Sequence, residues 1–338
     1  MVGGTALWHS RAVAGPRVSI IVPFRDRRTM VRELLEALAA QTATDFEVLM
    51  VDDGSTDGAP LEVRADVEAG RPVRLLRNEG AGAYAARRVG VAASDAMYLA
   101  FTDSDCVPDA DWIACGVAAL DKGADVVNGT TVPARAPGPL ERTMWSGEEG
   151  LYPTSNVFYR REAYDRAGGF DLSAGDRFGF AAGSRPRRMG FGEDTLLAWA
   201  VRRSGVAVHR PDAVVRHAVL PPDINDTLRR TRMMRAFPAL IGEVPELRGG
   251  RLLRHGVVLN TAGDRLPLYA LLFGLAARRR RVAAGALAWW LAARLRDARR
   301  ADGPLGRRLA AVPVQMGLDV VATASLLEGS IRHRSAVL

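Results

Sequence analysis

Two aspartates separated by one serine, Asp103 and Asp105, close the apolar run Met97 to Phe101. In extended backbone, residues two apart project to the same side, so the two carboxylates share a face and Ser104 points away. Carboxylates this close repel one another, and each needs water, a donor or a cation to stay ionised. Two oxygen ligands on one side suit a hard divalent ion such as Mg²⁺ or Mn²⁺. By itself a D-x-D triplet reads more readily as a solvated turn. Its place directly behind an apolar strand, in a chain whose other strand ends are also acidic, favours the ligand reading.

Three further groups could take part. Asp52 and Asp53 open "DDGSTDG", where a carboxylate either accepts from a base N–H or ribose hydroxyl or bonds its own backbone in an Asx turn. Gly192-Glu193-Asp194 precedes a helical pattern. Acids there suit the helix dipole and its free N–H groups, or provide a general base on a rigid element; the two neighbours could divide these roles. His217 ends an apolar stretch and is either a polar surface residue or, beside a metal, a ligand.

The elements that must carry these residues alternate. "VSIIV", "FEVLMV", "VRLLR" and "AMYLAF" read as strands, separated by the helical patterns "VRELLEALAAQ", with Val31, Leu34, Leu35 and Leu38 on one stripe, and "YAARRVGVAA". This predicts an α/β fold, Rossmann-like, with a mostly parallel sheet flanked by helices. Ligands of such sheets bind at the carboxyl ends of strands, and "PFRD", "DDGSTD" and "TDSD" all lie there. A helix is predicted from Glu193 to Ser204, ended by Gly205. Beyond about residue 222 arginine-rich helices take over. The expected organisation is one domain at 17–250, in halves 17–123 and 124–250, with 251–338 as a C-terminal helical extension.

The chain has 338 residues, 48% hydrophobic and 25% charged, with a formal net charge of +8, which is globular and not disordered composition. A basic excess favours an anionic partner. The arginines are dispersed without a nucleic-acid-binding motif, so no nucleic acid is expected. Cys106 and Cys115 have neither zinc nor redox spacing, which fits a reducing compartment. No signal-peptide pattern opens the chain, and "LPLYALLFGLAA" and "VAAGALAWWLAA" each fall short of the ~20 residues a spanning helix needs. A cytoplasmic location is expected. The C-terminal helices read either as a bundle packed on the rest or forming a homodimer contact, or as a peripheral membrane element with arginines at anionic headgroups.

Taken in order, "VSIIVPFRDR", "LMVDDGSTDG", "NEGAGAYAARRVG", "YLAFTDSDCVPDADWI", "SNVFYRREAYDRAGGFD" and "FGEDTLLAWAVRRSG" resemble the family-2 glycosyltransferases of GT-A fold across residues 17–240. The resemblance implies metal-dependent, inverting transfer of one sugar from a nucleoside diphosphate sugar, a UDP-sugar first, to an acceptor hydroxyl on a glycan, lipid or small molecule. It places Pro23, Phe24, Arg25, Asp53, Arg87 and Asp103 at the nucleotide. It puts Asp105, Asp103 and His217 at a Mn²⁺ or Mg²⁺ ion, Asp194 as the base, and Glu193 and Asn156 at the acceptor. Arg25 and Asp26 stand where many relatives carry an aromatic and an amide. The loop from Ser173 to Met189 is longer than usual, an acceptor lid or a surface insert. The Q-x-x-R-W signature of processive synthases is absent. Two rivals are an inactive nucleotide-sugar-binding scaffold and a sugar-1-phosphate nucleotidyltransferase; the latter's glycine-rich loop is missing from "PFRDRR".

Overall fold

The computed structural model describes residues 15–180, 190–260 and 265–338. Its first half follows the alternation in the sequence. Strand β1 (Val18–Phe24) is buried along its whole length, as expected of a strand covered on both faces. Helix α1 (Arg28–Ala39) lays Val31, Leu34, Leu35 and Leu38 against the sheet. Then come β2 (Phe46–Asp52), α2 (Ala59–Glu68), β3 (Val73–Arg77), α3 (Ala83–Ala92) and β4 (Tyr98–Phe101). Helix α3 sits close on β1 because Gly90 lacks a side chain: a Cβ there would stand 2.5 Å from Ile21 Cγ2.

After β4 come β5 (Cys106–Pro108), α4 (Trp112–Asp121), β6 (Val126–Pro133), β7 (Val157–Arg160) and α5 (Arg161–Arg166). A short α6 (Ala174–Arg177) precedes α7 (Glu193–Ser204) and β8 (Ala207–His217). The eight strands form one sheet in the order β3-β2-β1-β4-β7-β6-β8-β5. Its β3-β2-β1-β4 half is parallel as the alternation predicts. Beyond it the sheet is mixed: β7 runs antiparallel to β4 and β6, and β5 antiparallel to β8. Two apolar clusters cover its faces, one around Ile20, Leu34 and Trp112, the other around Phe101, Tyr159 and Leu240.

The C-terminal part comprises α8 (Ile224–Met233), α9 (Phe237–Glu243), a small hairpin of β9 (Leu253–Arg254) and β10 (Val258–Leu259), then α10 (Leu266–Ala276), α11 (Arg280–Arg300) and α12 (Leu305–His333). Packing crosses residue 250, since α12 lies on α8 and α9 and its Leu326 belongs to the cluster that holds Phe101. Helix α12, which lies beyond the two apolar stretches weighed from the sequence, is 29 residues long and apolar enough to span a bilayer by length and composition alone, with a third of its apolar window buried. Of the expected lid or insert at 173–189, residues 173–180 form α6 and its flanks, tied down by Arg177 to Asp171 and Glu243; residues 181–189, with Arg185, Arg187 and Arg188, lie outside the described residues.

Candidate active site

A cleft of about 990 Å³ opens at the carboxyl ends of β1, β2 and β4. Pro23, Phe24, Arg25, Asp53, Arg87, Asp103, Asp105, Asp194 and His217 all line it. Residues scattered along the chain from Pro23 to His217 thus share one space. A smaller recess beside it is bounded by Arg25, Asp53, Arg77, Asn78 and Glu79.

At the end of β2 the two neighbouring acids divide the alternatives that the sequence left open. Asp52 accepts from Ser55 N at 2.8 Å and so makes the Asx turn. Asp53, 7% exposed, takes no part in that turn, and its Oδ1 accepts from Asn78 Nδ2 and from Gly82 N. Those donors lock the carboxyl between the cleft and the recess. Its orientation suits recognition of N–H or hydroxyl groups on a ligand.

The charge that the crowded aspartates require comes from arginine. Arg87, 4% exposed, donates to Asp103 Oδ1, while its Nε has no hydrogen-bond partner among the described residues. Arg27 donates to Asp105 Oδ2. It does so from a left-handed backbone position (φ 67°), next to Asp26 at φ 58°; such conformations cost of order 1–3 kcal/mol each in non-glycine residues. Asp26 is held there by accepting from Thr56 N at 2.7 Å. Arg230, anchored by Asp226 from α8 at 2.8 Å, reaches the rim.

His217 arrives beside Asp105 through strand pairing. The antiparallel register sets Cys106 opposite His217, and Ala218 N donates to the Asp105 carbonyl at 2.8 Å. His217 Nδ1 lies 2.7 Å from Ala218 O. A carbonyl only accepts, so in the neutral ring Nδ1 carries the hydrogen and Nε2 keeps its lone pair. That lone pair faces Asp105 Oδ2 at 3.6 Å. Two acceptors turned toward each other fit a cation between them, and hard oxygen with imidazole nitrogen suits Mn²⁺ or Mg²⁺. Asp105, Cys106 and His217 offer ligand atoms within 4.8 Å of one another. Burial and the nearby carboxylates push the Cys106 thiol well above its ordinary range.

Asp194 begins α7 and faces the same cleft. Thr195 N donates to its Oδ1 at 2.8 Å, and the Tyr84 hydroxyl and Thr154 backbone also bond it. Burial still raises its carboxyl above the usual range. Glu193 points elsewhere: its Oε2 accepts from Phe191 N and the residue is 3% exposed. Burial, with Asp194 adding repulsion, raises its carboxyl to about 7. The acceptor contact expected of Glu193 is corrected accordingly, since it does not line the cleft.

The same correction applies to Asn156. It is fully buried and its amide is spent: Oδ1 accepts from Trp112 Nε1 at 2.8 Å, and Nδ2 donates to Thr130 O and Ala213 O. Sequence reasoning missed Arg27, Tyr84, Thr154, Ser155 and Arg230, which do line the cleft. A signal existed for Tyr84 alone, three residues before Arg87 and therefore on the same helical face; Arg87 stacks 4.8 Å over its ring.

Fold and cleft together define an α/β protein with acids gathered at its strand ends. Residues 19–175 match the model of glycosyl transferase family 2. Glycosyltransferase AglE of Haloferax volcanii is 31% identical over 179 residues, 48% of this chain and 59% of the relative. The chain thus spans under two thirds of that relative's length. Among solved structures, a mannosyltransferase of Pyrobaculum calidifontis, in complex with GDP-Man and Mn2+, superposes with a TM-score of 0.52 over 95% of this chain and 88% of that one, at 19% identity. S. aureus TarS superposes with a TM-score of 0.50 over 93% and 55%, at 17% identity. The fold is GT-A.

Proposed function

We propose that the protein is a metal-dependent, inverting glycosyltransferase that moves one sugar from a nucleoside diphosphate sugar to an acceptor hydroxyl. One observation carries the reading: Asp53, the Asp105 and His217 pair, and Asp194 face one cleft, with the acceptor atoms of the pair 3.6 Å apart. The mannosyltransferase neighbour holds GDP-Man and Mn2+, which supports a nucleotide-sugar donor; a UDP-sugar is the first to assay. Asp53 receives the base or ribose, and Arg25 borders it in the recess. Arg87 and Asp103 sit at the ribose and diphosphate. Asp105 and His217, with Asp103, would hold the divalent ion, which supplies charge neutralisation for the departing diphosphate.

Asp194 takes the proton of the acceptor hydroxyl as its oxygen attacks the anomeric carbon from the face opposite the diphosphate. Attack from that side inverts the configuration. The raised carboxyl of Asp194 suits proton abstraction, since a base works best when its pKa approaches the working pH. A general base contributes roughly 10²–10⁴-fold, so Asp194→Asn is expected to lose at least that lower factor in turnover while nucleoside diphosphates in Mn²⁺ still raise its melting temperature. Full turnover in the variant would remove Asp194 from this role. Failure of every nucleoside diphosphate and its sugars to shift the wild type, with or without Mn²⁺, would overturn the enzyme itself in favour of a protein that has lost donor binding.

A further inference from the structure

The basic excess of the chain has an address. The whole chain carries 46 basic and 38 acidic side chains, a net +8. Residues 266–338 carry twelve arginines against four acids, which is the same excess. The remaining 265 residues are therefore balanced, although they hold most of the arginines. A compositional bias would spread the surplus along the chain; here it is confined to α10, α11, α12 and the tail.

The same region exposes apolar side chains that a water-soluble surface would bury. Helix α10 is apolar on all sides, and Leu272, Phe273 and Leu275 are 44%, 64% and 59% exposed. A helix of that kind belongs in a core or in lipid. It packs against α11, closely enough that a Cβ on Gly274 would stand 2.8 Å from Ala283 N. At the tip of this helical hairpin Arg278, Arg279, Arg280 and Arg281 are all exposed. Helix α11 turns one stripe inward, Ala283, Ala286, Trp290 and Arg294, and leaves Leu287, Trp289 and Leu291 to solvent at 48%, 49% and 43%.

We infer that the α10–α11 hairpin docks on an anionic phospholipid bilayer, its leucines, Phe273 and Trp289 entering the acyl boundary and its arginines meeting the headgroups. A second copy of this chain is the wrong occupant, because it would set one surplus of positive charge against another. Insertion across the bilayer does not suit the hairpin either: the eleven residues of α10 reach only about half the ~30 Å hydrocarbon core. Helix α12, which has the length, is held to the body of the protein. Its Leu326 is buried in the cluster that holds Phe101, and Gly329 lies against the backbone of Arg235; its Asp319 in turn anchors the hairpin through Arg294 and Trp290.

Docking here also has a route to the cleft. Helix α12 joins the hairpin to α8, and α8 carries Arg230 to the rim of the cleft. The inference itself stands on the surface alone and is independent of the proposed reaction.

Flotation of the full chain with vesicles tests it. Phosphatidylcholine vesicles containing phosphatidylglycerol are expected to carry the protein up the gradient, pure phosphatidylcholine at least tenfold less, and high salt to release most of it. Replacing two headgroup arginines, Arg279→Ser with Arg280→Ser, should weaken binding roughly tenfold or more, and Phe273→Ser should weaken it further, with melting temperature unchanged in both. A wild type that stays at the bottom with anionic vesicles overturns the inference, as does equal binding to neutral vesicles. A dimer in light scattering that Phe273→Ser dissolves, with no flotation, would assign the face to a second copy instead.

Discussion

At the start of α7 two adjacent acids meet opposite fates, and the difference is testable by titration. Glu193 is buried with its carboxyl raised to about 7 from 4.5. Between those values the folded protein keeps a proton that the unfolded chain has released, so stability is highest below about 4.5 and falls as the pH rises through 7. The loss is roughly 3 kcal/mol. Glu193→Gln keeps an acceptor for Phe191 N without the charge. Its melting temperature should therefore change less than that of wild type between these pH values and exceed it at pH 8; parallel curves would show that Glu193 is not buried as a neutral acid. Arg27 poses a second residue-scale question, because its guanidinium holds the same Asp105 oxygen that a metal would need. A charge-assisted bond of this kind is worth about 1.5–3 kcal/mol. Arg27→Ala is therefore expected to bind Mn²⁺ about tenfold more tightly when no nucleotide is present, read as free Mn²⁺ by electron paramagnetic resonance. Equal affinity would mean that the ion does not bind at Asp105. The acids were legible in sequence because a short side chain at a strand end stays where the backbone puts it. Arg27 and Arg230 were not, because a long side chain's direction is decided by what it finds to pair with.

Elements decide whether those side chains meet. The first half of the sheet could be read from apolar periodicity, since each strand and its helix are sequence neighbours. The pairing of β5 with β8 could not: it joins residues more than 100 positions apart, and three residues such as Cys106–Pro108 carry no periodicity. Yet this pair places His217 beside Asp105. Besides its pairing with β6 and β5, β8 is tied by Asn156, read from sequence as an acceptor contact because a buried polar residue and a site residue look alike in a chain without coordinates. Its amide links Trp112 on α4, Thr130 on β6 and Ala213 on β8. Gly129 makes room for it, since a Cβ there would lie 2.3 Å from Asn156 Oδ1. Asn156→Ala leaves one buried donor and two buried acceptors without that partner, each worth about 1–3 kcal/mol. Denaturant unfolding should register a loss of about 3 kcal/mol or more. A loss below 1 kcal/mol would show that β8 is positioned by other contacts.

Across the whole molecule, the question is which parts unfold together. Composition changes near residue 250, and sequence alone draws a domain line there. Contacts tie the two sides: Arg248 donates to Ser335 Oγ at 2.8 Å and to Ala336 O at 3.0 Å, and Leu326 and Val337, both fully buried, share a cluster with Phe101 and Tyr159. Helix α12 is thus a wall of the main core, whereas the hairpin of α10 and α11 touches the rest mainly through α12. Cooperativity should follow this division. Leu326→Ala removes a fully buried side chain at a cost of about 2–5 kcal/mol, and the expected outcome is a lower melting temperature of the single main transition, followed by both near-ultraviolet circular dichroism and nucleotide protection. Phe273→Ser, on the open face of the hairpin, should leave that transition where it is. If Leu326→Ala instead splits off an early transition while nucleotide binding and the main melt persist, α12 folds apart from the sheet, and the line near residue 250 is a real divide in stability as well as in composition.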